Sequence, residues 1–209
     1  MINIHPKEIR GPWTKGFALD DQASPMTKVF FSGSRRFTRL NEAVRQRADN
    51  IIAKGFTLLI GDASGADALM QQYLAEKDYT KVIVYCTGGL CRNNAGHWQT
   101  RRVQPEAGEP SGFRYYVLKD NAMAGDATCG FVLWDGKSKG TLNNIINLLD
   151  RKKKVLVYFA PAEVFRQLNS RRDLASLLAG SGDQTLEKLE RQLRIKMGRK
   201  AKERQLTFA

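Results

Sequence analysis

FVLWDGKSKGTLNN, residues 131–144, decides how this chain is read: an apolar run empties into a polar loop bounded by glycines and then into a segment of helical character. Phe131 to Trp134 has the composition of the end of a buried strand. Gly136 and Gly140 bracket Lys137, Ser138 and Lys139, and Thr141 stands where the next helix is expected to begin. Its hydroxyl and the local backbone N–H groups can therefore face an anion, in the outline of a phosphate or sugar-phosphate cradle. The same strand, glycine loop and helix start arise wherever a parallel sheet turns tightly, so the segment is either a cradle or a plain α/β turn.

Two upstream segments repeat the arrangement. Lys28 to Phe31 reads as a short strand ending in Ser32, Gly33, Ser34, Arg35 and Arg36, where small residues admit a ligand to the backbone and Arg35 supplies a planar fork for phosphate or carboxylate. Leu40, Ala43, Val44, Ala48, Ile51 and Ile52 recur at helical spacing up to Gly55. Phe56 to Ile60 opens in turn into Gly61, Asp62, Ala63, Ser64, Gly65, Ala66 and Asp67, before a helix through Leu69, Met70, Tyr73 and Leu74 and a third strand from Val82 to Tyr85. Strands and helices alternating at these intervals predict a parallel sheet with helices on both faces, and ligands in such sheets bind at the carboxyl ends of the strands.

Residues 86–114 have little periodicity, with five glycines and two prolines between Thr87 and Phe113, and predict a long loop near the site. Arg92, Asn93, Asn94, His97 and Trp98 offer it a guanidinium, amides, an imidazole and an aromatic face for a base or ribose, although a lone histidine is more often structural. Tyr115 to Leu118 reads as a short strand and Lys119 to Asp126 as a helix with Asp120 near its start. Leu142, Ile145, Ile146, Leu148 and Leu149 give the next helix an apolar face, and Val155 to Phe159 is the final strand. The expected fold is α/β and Rossmann-like, three-layered, with a mainly parallel sheet of at least five strands. It would occupy residues 27–160, behind an irregular arm over 1–26 and ahead of a helical, basic extension over 161–209.

Composition narrows the partners. The 209 residues are 42% hydrophobic, enough for a real core, and carry a formal net charge of +13. That charge favours polyanions without choosing among nucleic acid, nucleotides and phosphorylated metabolites, and a basic surface serving solubility alone satisfies it too. No apolar run approaches the roughly 20 residues of a membrane span, so a soluble, cytoplasmic protein is expected, without a membrane partner. Cys86, Cys91 and Cys129 lack a paired spacing and only His5 and His97 accompany them, so reduced thiols, no metal and no cofactor are expected. Near the C-terminus, Leu186, Leu189, Leu193 and Ile195 are interleaved with Lys188, Arg191, Arg194, Lys196, Arg199 and Lys200. This basic amphipathic helix either docks on its own domain or contacts nucleic acid or a partner.

SGSR after the first strand, GDASGAD after the second, KDNAM ahead of the penultimate strand and WDGKSKGT after it together resemble the SLOG superfamily of Rossmann-like nucleotide-binding proteins. That group includes the YspA-like proteins, the cytokinin-activating LOG phosphoribohydrolases and the DNA-processing protein DprA. The resemblance covers residues 27–160. It implies a nucleotide pocket lined by Gly33, Ser34, Arg35, Gly61, Asp62, Gly65, Asp67, Gly140 and Thr141, to which Arg92, Asn93, Asp120, Gly136 and Ser138 are added as candidates. It also implies that two copies can pair.

The departures matter as much. LOG enzymes carry PGGxGTxxE, whose glutamate takes part in base release; here the loop is one residue longer, Asn144 stands where that glutamate falls, and Asp135 replaces the proline. The WDGxSxGT form is also similar to nucleoside deoxyribosyltransferase-like members, in which an acidic residue works at the anomeric carbon. Cleavage of an N-glycosidic bond would then use Asp135, or second Asp62, as the carboxylate that stabilises the oxocarbenium-like sugar, with Arg35 or Arg92 on the phosphate. For Asp135 a turn or helix-capping role is an equal reading. Three functions follow: a binder of a nucleotide or nucleotide sugar that cleaves or transfers at the glycosidic bond, a DprA-like nucleic-acid-binding protein without catalysis, and a nucleotide-signal sensor in a defence or toxin system.

Overall fold

The computed structural model describes residues 26–89, 91–105 and 113–179, together with Arg191. In chain order the elements are β1 (Lys28–Gly33), α1 (Glu42–Ala53), β2 (Thr57–Gly61), α2 (Ala66–Glu76), β3 (Val82–Thr87), β4 (Gln99–Val103), α3 (Phe113–Asp126), β5 (Cys129–Trp134), α4 (Lys139–Asp150), β6 (Val155–Phe159), β7 (Val164–Leu168) and α5 (Arg171–Ala179). They build a seven-stranded sheet in the order β4-β3-β2-β1-β5-β6-β7. Every neighbouring pair is parallel except β6 and β7. The fold is the expected α/β, Rossmann-like one.

Burial explains the layering. Side chains alternate across a strand, so β1 sends Val29 and Phe31 to one face and Phe30 to the other. The first face packs on Val44, Ala48 and Ile51 of α1 and on Met70 and Leu74 of α2. The second packs on Met123 of α3, Ile145 and Leu148 of α4, and Leu174 and Leu178 of α5. β5 and β6 are buried along their whole length because helices or strands cover them on all sides. Asn41 caps α1 by accepting from the Val44 N–H at 2.9 Å.

The architecture turns at β1. From β1 the chain winds outward through β2 and β3 to β4, then returns by α3 to lay β5 on the other side of β1 and winds outward again. The connections after β1 and β5 therefore diverge, and a crevice opens between the two strand ends.

Four expectations are corrected. The 86–114 loop contains a strand, β4, whose QTRRV sequence has no apolar face because it is an exposed edge. Tyr115 to Leu118 lies inside helix α3 rather than in a strand. The stretch beyond Pro161, expected to be helical, contains β7, whose antiparallel pairing with β6 sets Phe165 against Tyr158. Cys86 and Cys91, expected as free thiols, form a disulfide, while Cys129 is free and buried. Most of the expected N-terminal arm, and Lys188, Arg194, Lys196, Arg199 and Lys200, lie outside the described residues; Arg191 is in helical backbone and exposed.

Candidate functional site

A cleft of about 760 Å³ occupies the crevice where β1 and β5 diverge. Its floor and walls come from the end of β1, the first turn of α4, and α3 crossing beneath.

The β1 and β5 ends are tied together. Ser34, 2% exposed, donates its N–H to Leu133 O at 3.0 Å and its hydroxyl to Asp135 Oδ2 at 2.9 Å. Asp135 Oδ1 accepts the N–H groups of Lys137 at 3.0 Å and Ser138 at 2.8 Å. Gly136 makes this fold-back with φ of 73°, a left-handed conformation suited to glycine. Burial alone would raise the Asp135 pKa, but these donors and the nearby Arg36 charge outweigh it and hold the carboxyl below the usual range. The loop expected to cradle an anion thus holds one of its own. The Asp135 carboxylate receives the N–H groups of the tight turn, so these donors are already engaged within the loop.

Helix α4 starts at Lys139, two residues before the expected Thr141. Ser138 is its cap, its Oγ accepting from the Thr141 N–H at 3.3 Å and from the Thr141 hydroxyl at 3.0 Å. Trp134 Nε1 donates to Ser138 O at 3.2 Å and fixes the cap against the core.

The β2 end is held as firmly. Asp62, 3% exposed, accepts from Arg92 three times: at Oδ2 from the backbone N–H (3.1 Å) and Nε (3.0 Å), and at Oδ1 from Nη2 (2.6 Å). Burial would raise the Asp62 pKa, yet the hydrogen bonds and charge of Arg92 more than offset it and lower it. Asn93 donates to Asp62 O at 3.0 Å, and buried Gln71 bridges Gly61 O to the Ala95 N–H. Asn94 closes a local turn with Trp98, whose Nε1 donates to Tyr79 O at 2.8 Å. The polar set expected to meet a base or ribose is spent on fastening the loop, and His97 is exposed in a left-handed turn with φ of 53°.

Beneath this lies a charged cluster. Lys119, 5% exposed, donates to Asp120 Oδ1 at 2.7 Å, and burial would lower its pKa were it not for Asp120, Asp67 and Asp62, which raise it. Asp67, 6% exposed, has its pKa pushed up to about 7, chiefly by burial, with Lys119 opposing and Asp120 and Asp62 adding to the rise.

Of the expected site residues, Gly33, Ser34, Arg35, Asp67, Arg92, Asp120, Ser138, Gly140 and Thr141 line the cleft. Gly61, Gly65, Asn93 and Gly136 shape the backbone behind it. Asp135 and Asp62, the two expected catalytic carboxylates, are also outside the lining, their oxygens engaged in the turn and in the Arg92 pair. Arg36 and Lys119 line the cleft without having been singled out. Arg36 is legible as the second half of a basic doublet; nothing in the sequence marks Lys119 as buried. Exposed Arg35, Arg36, Lys137 and Lys139 form a cationic rim.

No family model matches this chain, and no curated protein does. Among solved structures it is similar to DNA processing protein A from Helicobacter pylori, whose structure was described for a single-stranded DNA binding mode, with 16% identity over 83% of this chain and 82% of that one and a TM-score of 0.50. That likeness is one of fold. Among the described residues no helix is long and apolar enough to cross a membrane, and no group of three His, Cys, Asp or Glu side chains could hold a metal ion.

Proposed function

We propose that this chain binds single-stranded nucleic acid across the carboxyl edge of its sheet, with phosphates held at the rim of the β1–β5 cleft and without bond cleavage by Asp135 or Asp62. The observation that carries the reading is the convergence of exposed Arg35, Arg36, Lys137 and Lys139 on one opening at the switch point of the sheet. The net charge of +13 agrees with it, as does the fold shared with a protein described for binding single-stranded DNA. The order of SGSR, GDASGAD, KDNAM and WDGKSKGT supports placing the domain in the SLOG superfamily, with the basic C-terminal segment adding phosphate contacts.

A second reading, a single nucleotide or nucleotide sugar in the same cleft, is favoured by a volume of about 760 Å³, which falls within the usual range for small-molecule sites. Salt separates the two. Fluorescence anisotropy with a labelled oligonucleotide should give a log–log slope of affinity against salt of about −2 to −4, since each neutralised phosphate of a single strand contributes roughly −0.7. Arg35→Glu or Lys139→Glu should flatten the slope by about one contact. A flat salt response together with tight binding of a mononucleotide would replace the first reading by the second.

A further inference from the structure

The floor of the cleft contains buried charge that neither the rim nor the Asp135 turn uses. Asp67 Oδ2 and Lys119 Nζ lie 2.5 and 2.7 Å from where a Cβ on Gly61 would stand, so the two charged groups share a space that only glycine leaves open. Asp67 Oδ2 accepts a long hydrogen bond from the Ala63 N–H at 3.4 Å. Its Oδ1 has no donor among the described residues, although Asp67 is 6% exposed and lines the cleft. In the same lining, Asn144 of α4 is 5% exposed; its amide donates to Ser32 Oγ at 2.9 Å while its Oδ1 has no partner. Buried acceptors are normally satisfied, so the unpartnered Asn144 Oδ1, in the same lining as an Asp67 Oδ1 that receives no hydrogen bond, marks a place for donors that arrive with a ligand.

The order of charge says which part of a ligand goes there. Cations stand at the opening, while Asp67 and Asp120 stand at the bottom with Lys119 between them and Asp62 nearby, neutralised by Arg92. A phosphate is drawn to the opening and repelled from the floor. A neutral group with hydrogen-bond donors is suited to the floor, and Val117 and Met123 line the way to it.

We propose that Asp67 accepts a hydrogen bond from the base or sugar of a nucleotide unit whose phosphate rests on the cationic rim. This rests on the nucleic-acid reading above and adds the moiety that enters the cleft. The base N–H and the ribose 2′-hydroxyl are the two sources of the donor.

The test compares a thymidine oligodeoxynucleotide, an abasic deoxy strand of equal length and a uridine oligoribonucleotide, each bound to wild type and to Asp67→Asn at constant salt. Wild type should prefer a donor-bearing strand over the abasic one by about tenfold, and Asp67→Asn should lose most of that preference. Preference for thymidine over abasic assigns the donor to the base; a further preference for the ribose strand assigns it to the 2′-hydroxyl. If the preference is absent, or survives in Asp67→Asn, while salt-dependent binding persists, the inference is overturned and the nucleic-acid reading stands. If no strand binds with salt dependence, both fall. Should Asp67→Asn not fold, wild type decides alone: its preference must shrink between about pH 8 and about pH 6 as the carboxylate takes a proton, and a constant preference overturns the proposal.

Discussion

Arg92 closes on Asp62 through its backbone N–H, Nε and Nη2, so one residue of the β3–β4 connection supplies every side-chain hydrogen bond that Asp62 accepts among the described residues. Asp62 is almost wholly buried and Arg92 is 43% exposed, so the pair acts as a clasp that brings a surface loop onto the end of β2.

Arg92→Ala should therefore cost about 1–3 kcal/mol, because it strands a buried carboxylate rather than merely deleting a surface charge. Urea denaturation measures it. The double variant Asp62→Asn/Arg92→Ala should recover part of the loss; a double variant as unstable as the sum of the two singles would show that the residues do not act as a pair.

Asp135→Ala should lower stability by about 1–3 kcal/mol, since Ser34, Lys137 and Ser138 all lose their acceptor. Oligonucleotide affinity should hold or rise, because the vacated N–H groups regain the capacity to meet a phosphate. A fall in affinity of more than about tenfold in a folded variant would instead place Asp135 in direct contact with the ligand.

The carboxylates give stability opposite dependences on pH. Asp62 and Asp135 have folded pKa values below their ordinary one, so their stabilisation is full above about pH 4 and is lost as pH falls through the lower folded values. Asp67, raised to about 7, makes folding take up a proton between its ordinary value and that figure, so stability declines as pH climbs through the window and levels off above it. Asp67→Asn should abolish that decline. Denaturation midpoints with the same slope in both proteins between about pH 4 and about pH 7 would contradict the assignment.

Gly65→Ala should destabilise by about 2 kcal/mol or more. Gly65 has φ of 75°, and an added Cβ would stand 2.4 Å from the Arg35 Cα, so the variant meets both backbone strain and a main-chain clash. Because the clash moves Arg35, oligonucleotide affinity should fall with stability. Unchanged thermal unfolding would show that the two loops separate easily.

Cysteine labelling checks the disulfide. Native protein should take up no alkylating reagent, reduction should open half-buried Cys91 to labelling, and the buried Cys86 and Cys129 should react only after unfolding, burial pushing the Cys129 thiol up to about 11. Mass spectrometry counts the adducts. Immediate labelling of Cys91 without a reductant would show that the bond is absent in solution.

The core strands were legible because they are built on unbroken apolar runs, as in VFF of β1, LLI of β2 and FVLW of β5, and helices both follow them and cover them. Strand β4 was not, because a polar edge strand leaves no pattern of burial to read. Val164, Phe165 and Leu168 are spaced as a helix would space them, and it is their pairing with Tyr158, Phe159 and Val155 across the sheet that makes them β7. The glycine loops are legible, but what Asp135 does in its loop is not: in sequence it suits a catalytic carboxylate or a turn residue equally, and its engagement by Ser34 depends on a neighbour 101 residues away. Burial of Lys119 is hidden for the same reason. A lysine reads as solvated unless the carboxylates that surround it can be seen.

Strand β1 pairs with β2 within about thirty residues of chain but with β5 only across about a hundred, Phe30 standing opposite both Leu59 and Gly130. During synthesis the sheet can grow from β1 to β4 while the other side of β1 stays bare, and an unprotected apolar edge of this kind invites pairing with another chain. The ribosome must release Cys129 to Trp134 before that edge is sealed and before the cleft has two walls. Truncation ahead of Cys129 would thus leave a chain that aggregates, and the second wall of the cleft and the protection of the nascent fold are completed by the same strand.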